Sequence, residues 1–265
     1  MIRLALIFLL WLAQIQGVAA QQTFIPLPNH ERLLYRISFS GWLTLGFAEM
    51  RIKGKVKEQG IECYLFETRT WAADWLKGVY PVDDLILSHW DPAKRRSLWH
   101  KKRLKEGRLD QEYEVLFDYN KQIAHWKQRG FSKNTTGDRA AGETITPASL
   151  QDPLSTLYLA RSWAGEVKRG IFFSLQVFDD LKIGSIEMEI GKEQTLQVKI
   201  NGEKSSQQVF MIEPKMKGTG LFKRRGERLF IWVQQGGKRL PLRIQSEIPI
   251  GNIRAELIEM EPVEI

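Results

Sequence analysis

Apolar and polar positions alternate along most of this chain. Leu33, Tyr35, Ile37 and Phe39 take turns with Leu34, Arg36 and Ser38, and a period of two predicts a strand with one buried and one wet face. Leu43, Leu45 and Phe47 continue the pattern, after which its phase slips to Ala48, Met50 and Ile52. A one-residue slip would turn every later side chain to the other face, so a β-bulge beside Gly46 is expected. Further strands are predicted over 62–70, 85–90, 98–105, 112–118 and 123–128. In the second half they are predicted at Ile186 to Ile190, at Leu196 to Ile200, and over 207–213, 228–234, 240–247 and 252–260. Gly191-Lys192-Glu193 reads as the loop of a hairpin between the first two of these. Close neighbours in sequence should pair antiparallel.

Two helices interrupt the strands. A short one is predicted from Trp71 to Lys77, with Trp71 and Trp75 on one face and Gly78 as its stop. A stronger one begins where Asp152 caps Pro153, because proline suits the first helical position and the carboxylate accepts free backbone N–H groups. Leu154, Leu157, Tyr158 and Arg161 then share a face, and Gly165 ends the helix. The stretch from Gly130 to Gly142, rich in Gly, Thr, Asn and charge, lacks periodicity and is expected to be a flexible loop near 130–144. The predicted class is therefore mainly β: a single large antiparallel sheet curved into a partly open barrel or sandwich, with one or two packed helices.

Residues 1–20 stand apart from this pattern. Arg3, an apolar run from Leu4 to Leu12 and the small residues Val18-Ala19-Ala20 read as a signal peptide cleaved near Ala20. Residues 21–265 are then one β-rich domain, expected in the periplasm or associated with the outer membrane. No cysteine stands at the cut, which excludes a lipoprotein-type anchor, and no later window is apolar enough to span a membrane as a helix. A transmembrane barrel is disfavoured because most strands look shorter than the roughly 9–11 residues such a strand needs. Cys63, the only cysteine, alternates with Ile61 and Leu65, so it is expected to be buried and inert. The formal net charge of +8 suits anionic headgroups, and export removes nucleic acid from the partners.

Three segments carry a resemblance. LLYRISFSGWLTLGFAEMRI, QDPLSTLYLAR and MIEPKMKGTGLFKRRGERLFIWVQQGGKRLPLRIQSEIPIGNIRAEL, spread over Glu31 to Met260, resemble the exported bacterial family known as domain of unknown function 3108. The resemblance implies an exported, mostly β domain with a central helix and no known activity. Asp152, Ser155, Tyr158, Arg161, Pro214 and Pro241 fall at positions that look like the family's; it supplies no catalytic residues.

Reactive chemistry is sparse. His30, His89, His100 and His125 show no metal-ligand spacing, so neither a metal nor a cofactor is expected. There is no G-x-S-x-G, and Ser155 reads as part of a helix cap. Asp83-Asp84 and Asp179-Asp180 cannot flank one bond, because neighbours on a strand point to opposite faces. Arg161 leaves two readings: its stem packs while its head reaches water, or its guanidinium enters the sheet and finds a partner. The basic clusters Lys94-Arg95-Arg96, Lys101-Lys102-Arg103 and Lys223-Arg224-Arg225 read either as guarded strand edges or as an anion-facing rim, with Trp90, Trp99 and Trp126 close by. The leading expectation is a non-enzymatic periplasmic protein that holds an apolar or amphiphilic anionic ligand, such as a lipid or lipopolysaccharide. Its candidate contacts are Arg161, Tyr158, Lys101, Lys102 and Arg103. An envelope scaffold that docks a protein is the alternative, and a cell-wall or lipid hydrolase stands third.

Overall fold

The computed structural model describes residues 24–132, 135–163, 169–170, 172–217 and 228–261. Residues 1–20, where a signal peptide is expected, lie outside them, as do Gly165 and the cluster Lys223-Arg224-Arg225. The first run of strands is β1 (Glu31–Phe39), β2 (Leu43–Glu58), β3 (Ile61–Ala72), β4 (Asp83–Asp91), β5 (Arg96–Glu106), β6 (Leu109–Asp118), β7 (Ile123–Ser132) and β8 (Thr135–Ile145). Helix α1 (Asp74–Lys77) lies between β3 and β4, and helix α2 (Pro153–Ser162) follows β8. The second run is β9 (Phe172–Asp179), β10 (Lys182–Ile200), β11 (Glu203–Lys217), β12 (Arg228–Gln234), β13 (Pro241–Ile248) and β14 (Gly251–Met260).

All fourteen strands form one antiparallel sheet in the order β8-β7-β6-β5-β4-β3-β2-β1-β14-β13-β12-β11-β10-β9. Each run is a meander of neighbours, and β14 pairs with β1 to join them. The edges, β8 and β9, do not pair with each other, so the sheet stays open. It is nevertheless strongly curled. β5 and β9 stand ten steps apart in the order, roughly 48 Å along a flat sheet at about 4.8 Å per step. Yet Lys102 Nζ on β5 lies 2.8 Å from Asp179 Oδ1 on β9, and Phe117 on β6 packs edge-on against Phe178 on β9. The segment before α2 bridges the gap: Ser97 N–H donates to the Leu150 carbonyl, and Phe178 N–H to that of Gln151.

The bulge beside Gly46 is present. Ile37 pairs with Gly46 and Ser38 with Thr44, which leaves Leu45 as the extra residue. A Cβ at Gly46 would lie 2.2 Å from the Trp71 carbonyl oxygen of β3, so only glycine fits. Cys63 is buried as expected, and burial pushes its thiol pKa up to about 11.

Four expectations need correction. The segment from Gly130 to Gly142 belongs largely to the β7–β8 hairpin, with Trp126 paired to Gly142 and Gly130 to Gly137. Backbone pairing to β7 makes it a strand despite a composition without apolar alternation, and residues 133–134 lie outside the described set. Gly191-Lys192 is a bulge inside the single long strand β10, since Ile190 pairs with Ile212 and Glu193 with Phe210 on one partner, β11. The turn lies instead at Asn201-Gly202, both at positive φ, as a two-residue hairpin turn requires. Helix α1 has one turn only, because Trp71 is still paired to Asp83 in the sheet. Finally, strands are long, with 16 residues in β2 and 19 in β10, so strand length does not argue against a membrane barrel. Charge does: register aligns Arg51, Glu67, Lys101, Glu114 and Lys127 across β2, β3, β5, β6 and β7, on the face turned away from the core. A lipid-facing exterior would carry an apolar band there.

The core lies inside the curl, around α2. Leu33, Tyr35, Ile52, Phe66, Trp90, Leu154, Tyr158, Leu242 and Leu257 form its main cluster. Tyr113, Val115, Phe117, Leu150 and Phe178 form a second beside it.

Candidate functional site

Helix α2 is fixed first at its N-terminus. Asp152 Oδ1 accepts the N–H groups of Leu154 and Ser155 at 2.8 and 2.9 Å, and Ser155 Oγ accepts the Asp152 N–H at 2.9 Å, completing a capping box. Asp152 Oδ2 takes two more protons, from Ser88 Oγ of β4 at 2.5 Å and Ser97 Oγ of β5 at 2.6 Å. His100 stands next to them, Nδ1 3.0 Å from the Leu87 carbonyl and 3.5 Å from Asp152 Oδ1. A carbonyl only accepts, so Nδ1 carries the proton, and Nε2 is left buried with no hydrogen-bond partner among the described residues. Burial lowers the His100 pKa, with nearby Lys102 adding to the effect and Asp152 opposing it. Serine, histidine and aspartate thus meet here, but both hydroxyls donate to the carboxylate rather than to the imidazole. With Ser88, Ser97, His100 and Asp152 all at 0 % exposure, the cluster holds the helix to the sheet.

Arg161 takes the second of its two readings. Its guanidinium is buried and donates through Nη1 and Nη2 to the two oxygens of Glu31, each at 2.7 Å. Burial works against the Arg161 charge, and the Glu31 carboxylate outweighs it, so the pKa ends above its ordinary value. Glu31 opens β1 in the same alternation as Leu33 and Tyr35. A charge on that apolar face was the sequence signal for a buried partner.

Tyr158 is fully buried, its ring stacked on Phe66 with centroids 3.9 Å apart. The three basic neighbours on β5 split between two faces. Lys102 points inward to Asp179, whereas Lys101 pairs with Glu112 at 3.0 Å and Arg103 with Asp110 at 2.8 Å on the outer face. The structure therefore brings Tyr158 and Arg161 together in the core. It does not gather Lys101, Lys102 and Arg103 into one patch, and the chain's own carboxylates engage each of them. Asp83 and Asp84 diverge as expected: Asp83 meets Arg69 outside, while burial pushes the Asp84 pKa up to about 7.

Toward β9–β12 the helix packs differently. Leu159, Ala160 and Trp163 face Phe172, Phe173, Met188, Ile190, Phe210 and Ile212 across a cavity of about 300 Å³. The turn between β12 and β13 closes one end with Gln235, Gly236 and Arg239. A groove of about 800 Å³ also runs along the outer face past Glu58, Trp99, Glu114, His125 and Glu143. Its polar groups serve each other: His89 meets Glu58, Trp99 and Lys127 meet Glu114, and His125 meets Glu143. The inner cavity is the candidate ligand site. Sequence reading missed its residues, although the Phe172-Phe173 pair and Trp163 offered an apolar signal beside the helix.

Fold and cavity define a barrel-like antiparallel sheet, open at one seam and wrapped around a single helix. Among solved structures the chain is similar to a β-barrel-like protein of domain of unknown function DUF1849 from Brucella abortus, with TM-score 0.56 and 12 % identity over 91 % of this chain and 100 % of that one. It also matches a Bacteroides fragilis protein with a YmcC-like fold, with TM-score 0.41 and 5 % identity over the same shares. No curated protein matches it. The chain belongs to the family described as Protein of unknown function (DUF3108), which matches residues 34–258.

Proposed function

We propose that this protein is exported to the periplasm and holds an apolar or amphiphilic anionic ligand in the cavity between α2 and β9–β12. The observation that carries this reading is the cavity itself. Its volume of about 300 Å³ sits at the lower end of the roughly 300–1,000 Å³ range of small-molecule sites, and its wall is apolar apart from a few convergent polar groups. Export draws on the leader-like residues 1–20, and the net charge of +8 favours anionic partners. The test is gentle purification of the processed chain followed by mass spectrometry of its organic extract. Co-purifying amphiphiles at near one per chain are expected. An empty extract together with no binding of added amphiphiles would overturn the reading.

A second reading, docking of a protein partner, draws on β8. This strand is paired on its β7 side only and ends on Ile145, which is 83 % exposed. In-cell crosslinking from position 145 should then return an envelope protein; self-contacts alone would remove it.

A further inference from the structure

The turns at the two ends of the sheet differ in kind. At the end where β2, β6 and β14 begin, four connections carry large apolar side chains: Ile250 between β13 and β14, Trp42 between β1 and β2, Trp75, Val79 and Tyr80 between β3 and β4, and Leu109 after the β5–β6 turn. These are six of the nine large apolar side chains exposed among the described residues, and Trp42, Val79 and Ile250 stand 74, 81 and 80 % exposed. The other three, Ile25, Ile145 and Phe172, lie outside these connections. At the opposite end the turns Gln59-Gly60, Lys94-Arg95, Asn120-Lys121 and Asn201-Gly202 present polar groups, as turns in water ordinarily do.

The four apolar connections are tied into one rim. Their strands are eight consecutive neighbours, from β13 through β14 and β1 to β6, which is seven steps or roughly 34 Å along the curl at about 4.8 Å per step. Ser40 N–H donates to the Asn252 carbonyl, Ala73 N–H to that of Leu45, and Gly107 N–H to that of Pro81, each at 2.8 Å. The Trp75 indole N–H donates to the Thr44 carbonyl at 2.8 Å, while more than half of the residue stays exposed. Tyr80 lies against Gly107, where an added Cβ would come within 2.7 Å of the ring. The fold thus sets the positions of these side chains and leaves them uncovered.

Two features indicate what covers them. Trp42, Trp75 and Tyr80 each join an apolar body to a polar atom, and such rings settle at the headgroup level of a bilayer. Beside them, Lys105 and Arg108 are exposed and carry no ion pair among the described residues. The nearby carboxylates are already engaged, Asp74 by Lys77, Asp83 by Arg69, and Glu106 by a hydrogen bond with Asp84. A cationic surplus next to exposed indoles suits anionic headgroups. Spacing agrees with this occupant. Polar Ser40, Asp74 and Lys77 separate the apolar groups, and a fluid interface accepts separate side chains where a protein partner needs a continuous matching face.

We propose that this rim seats the protein on the surface of a bilayer bearing anionic phospholipid, with Trp42, Trp75, Val79, Tyr80 and Ile250 in the interface and Lys105 and Arg108 at the headgroups. The charged outer face keeps the strands out of hydrocarbon, so the protein lies on the membrane rather than across it. The rim is separate from the cavity beside α2, and neither reading needs the other.

Co-sedimentation of the processed full chain with vesicles tests it, comparing equimolar phosphatidylglycerol and phosphatidylcholine with phosphatidylcholine alone. Mixed vesicles should bind the protein at least about tenfold more tightly, and salt at about 0.5 M should close most of that gap. Trp42→Ser should weaken binding about tenfold, and adding Val79→Ser and Ile250→Ser should abolish it. Lys105→Gln with Arg108→Gln should remove the preference for phosphatidylglycerol. Ile145→Ser at the far end and Met188→Trp in the cavity should change nothing, which keeps failure here apart from failure of the cavity reading. Thermal unfolding checks that each variant folds. A gain of signal complements these losses: an environment-sensitive dye on Val79→Cys should shift to the blue with mixed vesicles, and the same dye on Ile145→Cys should not. A folded chain that bound no vesicles, or whose binding survived the triple variant, would overturn the proposal. No vesicle binding together with an envelope protein crosslinked from position 42 would give the rim to a protein partner instead.

Discussion

The two halves of the sheet meet the same helix in opposite ways. Toward β1–β5 the contact is closed and polar as well as apolar: Asp152 is bound to Ser88 and Ser97, Arg161 to Glu31, and Tyr158 stacks on Phe66. Toward β9–β12 the helix offers Leu159, Ala160 and Trp163, and the strands stand back to leave a cavity. A helix pinned on one side can support an unfilled space on the other, since close-packed interiors otherwise hold few voids. The first half therefore acts as the frame and the second as the site, and substitutions should sort accordingly.

The largest expected effect comes from breaking the frame at its buried ion pair. Arg161→Met strands the Glu31 carboxylate at 0 % side-chain exposure. It should cost about 3–5 kcal/mol in urea unfolding, because most of that loss is the uncompensated charge left behind. The double variant Arg161→Met with Glu31→Leu should return to within about 1 kcal/mol of the wild type. If the double variant were as unstable as the single, the pair would be doing more than balancing itself. The halves could then not be divided so simply.

Next comes the helix N-terminus. Asp152→Ala removes the cap and leaves the Ser88 and Ser97 hydroxyls without their acceptor. A cap contributes about 1 kcal/mol and a hydrogen bond to a charged group about 1.5–3, so a loss of about 3 kcal/mol is expected. Amphiphile binding, measured in the fraction still folded, should survive. A variant that stayed folded but lost the ligand would place this end of the helix in the site after all.

These contrasts show what the sequence could reveal. Alternation found β1–β7 and β10–β14, since each buries an apolar face, and Asp152-Pro153 announced α2 by its capping chemistry. β8 escaped because edge pairing to β7 fixes it and its composition carries no period. The bulge at Gly191 looked like a turn because both interrupt the alternation with a glycine, and only the partner strand tells them apart. Among site residues, Lys101-Lys102-Arg103 looked like one patch although the pleat divides it between faces, the same rule that separated Asp83 from Asp84. Glu31 and Arg161 lie 130 residues apart in the chain, and the Arg239 end of the cavity forms only where the curl brings the β12–β13 turn beside Trp163. Such meetings depend on curvature, which no local pattern encodes.

A smaller effect should appear in the pH dependence of the frame. His100 has a depressed folded pKa against an ordinary 6.5, so as pH falls below about 6.5 the unfolded chain takes up a proton that the folded chain refuses. Its stabilising contribution is therefore full above that pH and is lost on acidification, by at most about 1.4 kcal/mol per pH unit. Asp84 works in the opposite direction. With its folded pKa pushed up to about 7 from 3.8, it favours the folded chain at low pH and loses that contribution as pH rises through 7. Urea titrations of wild type and His100→Gln between about pH 4.5 and 6.5 separate the two, because the difference curve contains His100 alone. A flat difference would mean that the imidazole is already protonated when folded.

The smallest expected effect tests where the frame ends. Tyr158 sits mid-helix between the polar anchor and the cavity, fully buried, and its hydroxyl has no hydrogen-bond partner among the described residues. Its ring does the packing, stacked on Phe66 and 5.2 Å from the Arg161 guanidinium carbon. Tyr158→Phe keeps the ring and deletes only the unsatisfied hydroxyl. A buried polar group without a partner costs free energy, so removing it should change stability by less than about 0.5 kcal/mol or raise it slightly. A loss above about 1 kcal/mol would show that the hydroxyl is hydrogen-bonded in solution, to water or to a ligand reaching past Leu159. The cavity would then extend into the middle of the helix, and the line between frame and site would move one turn toward Asp152.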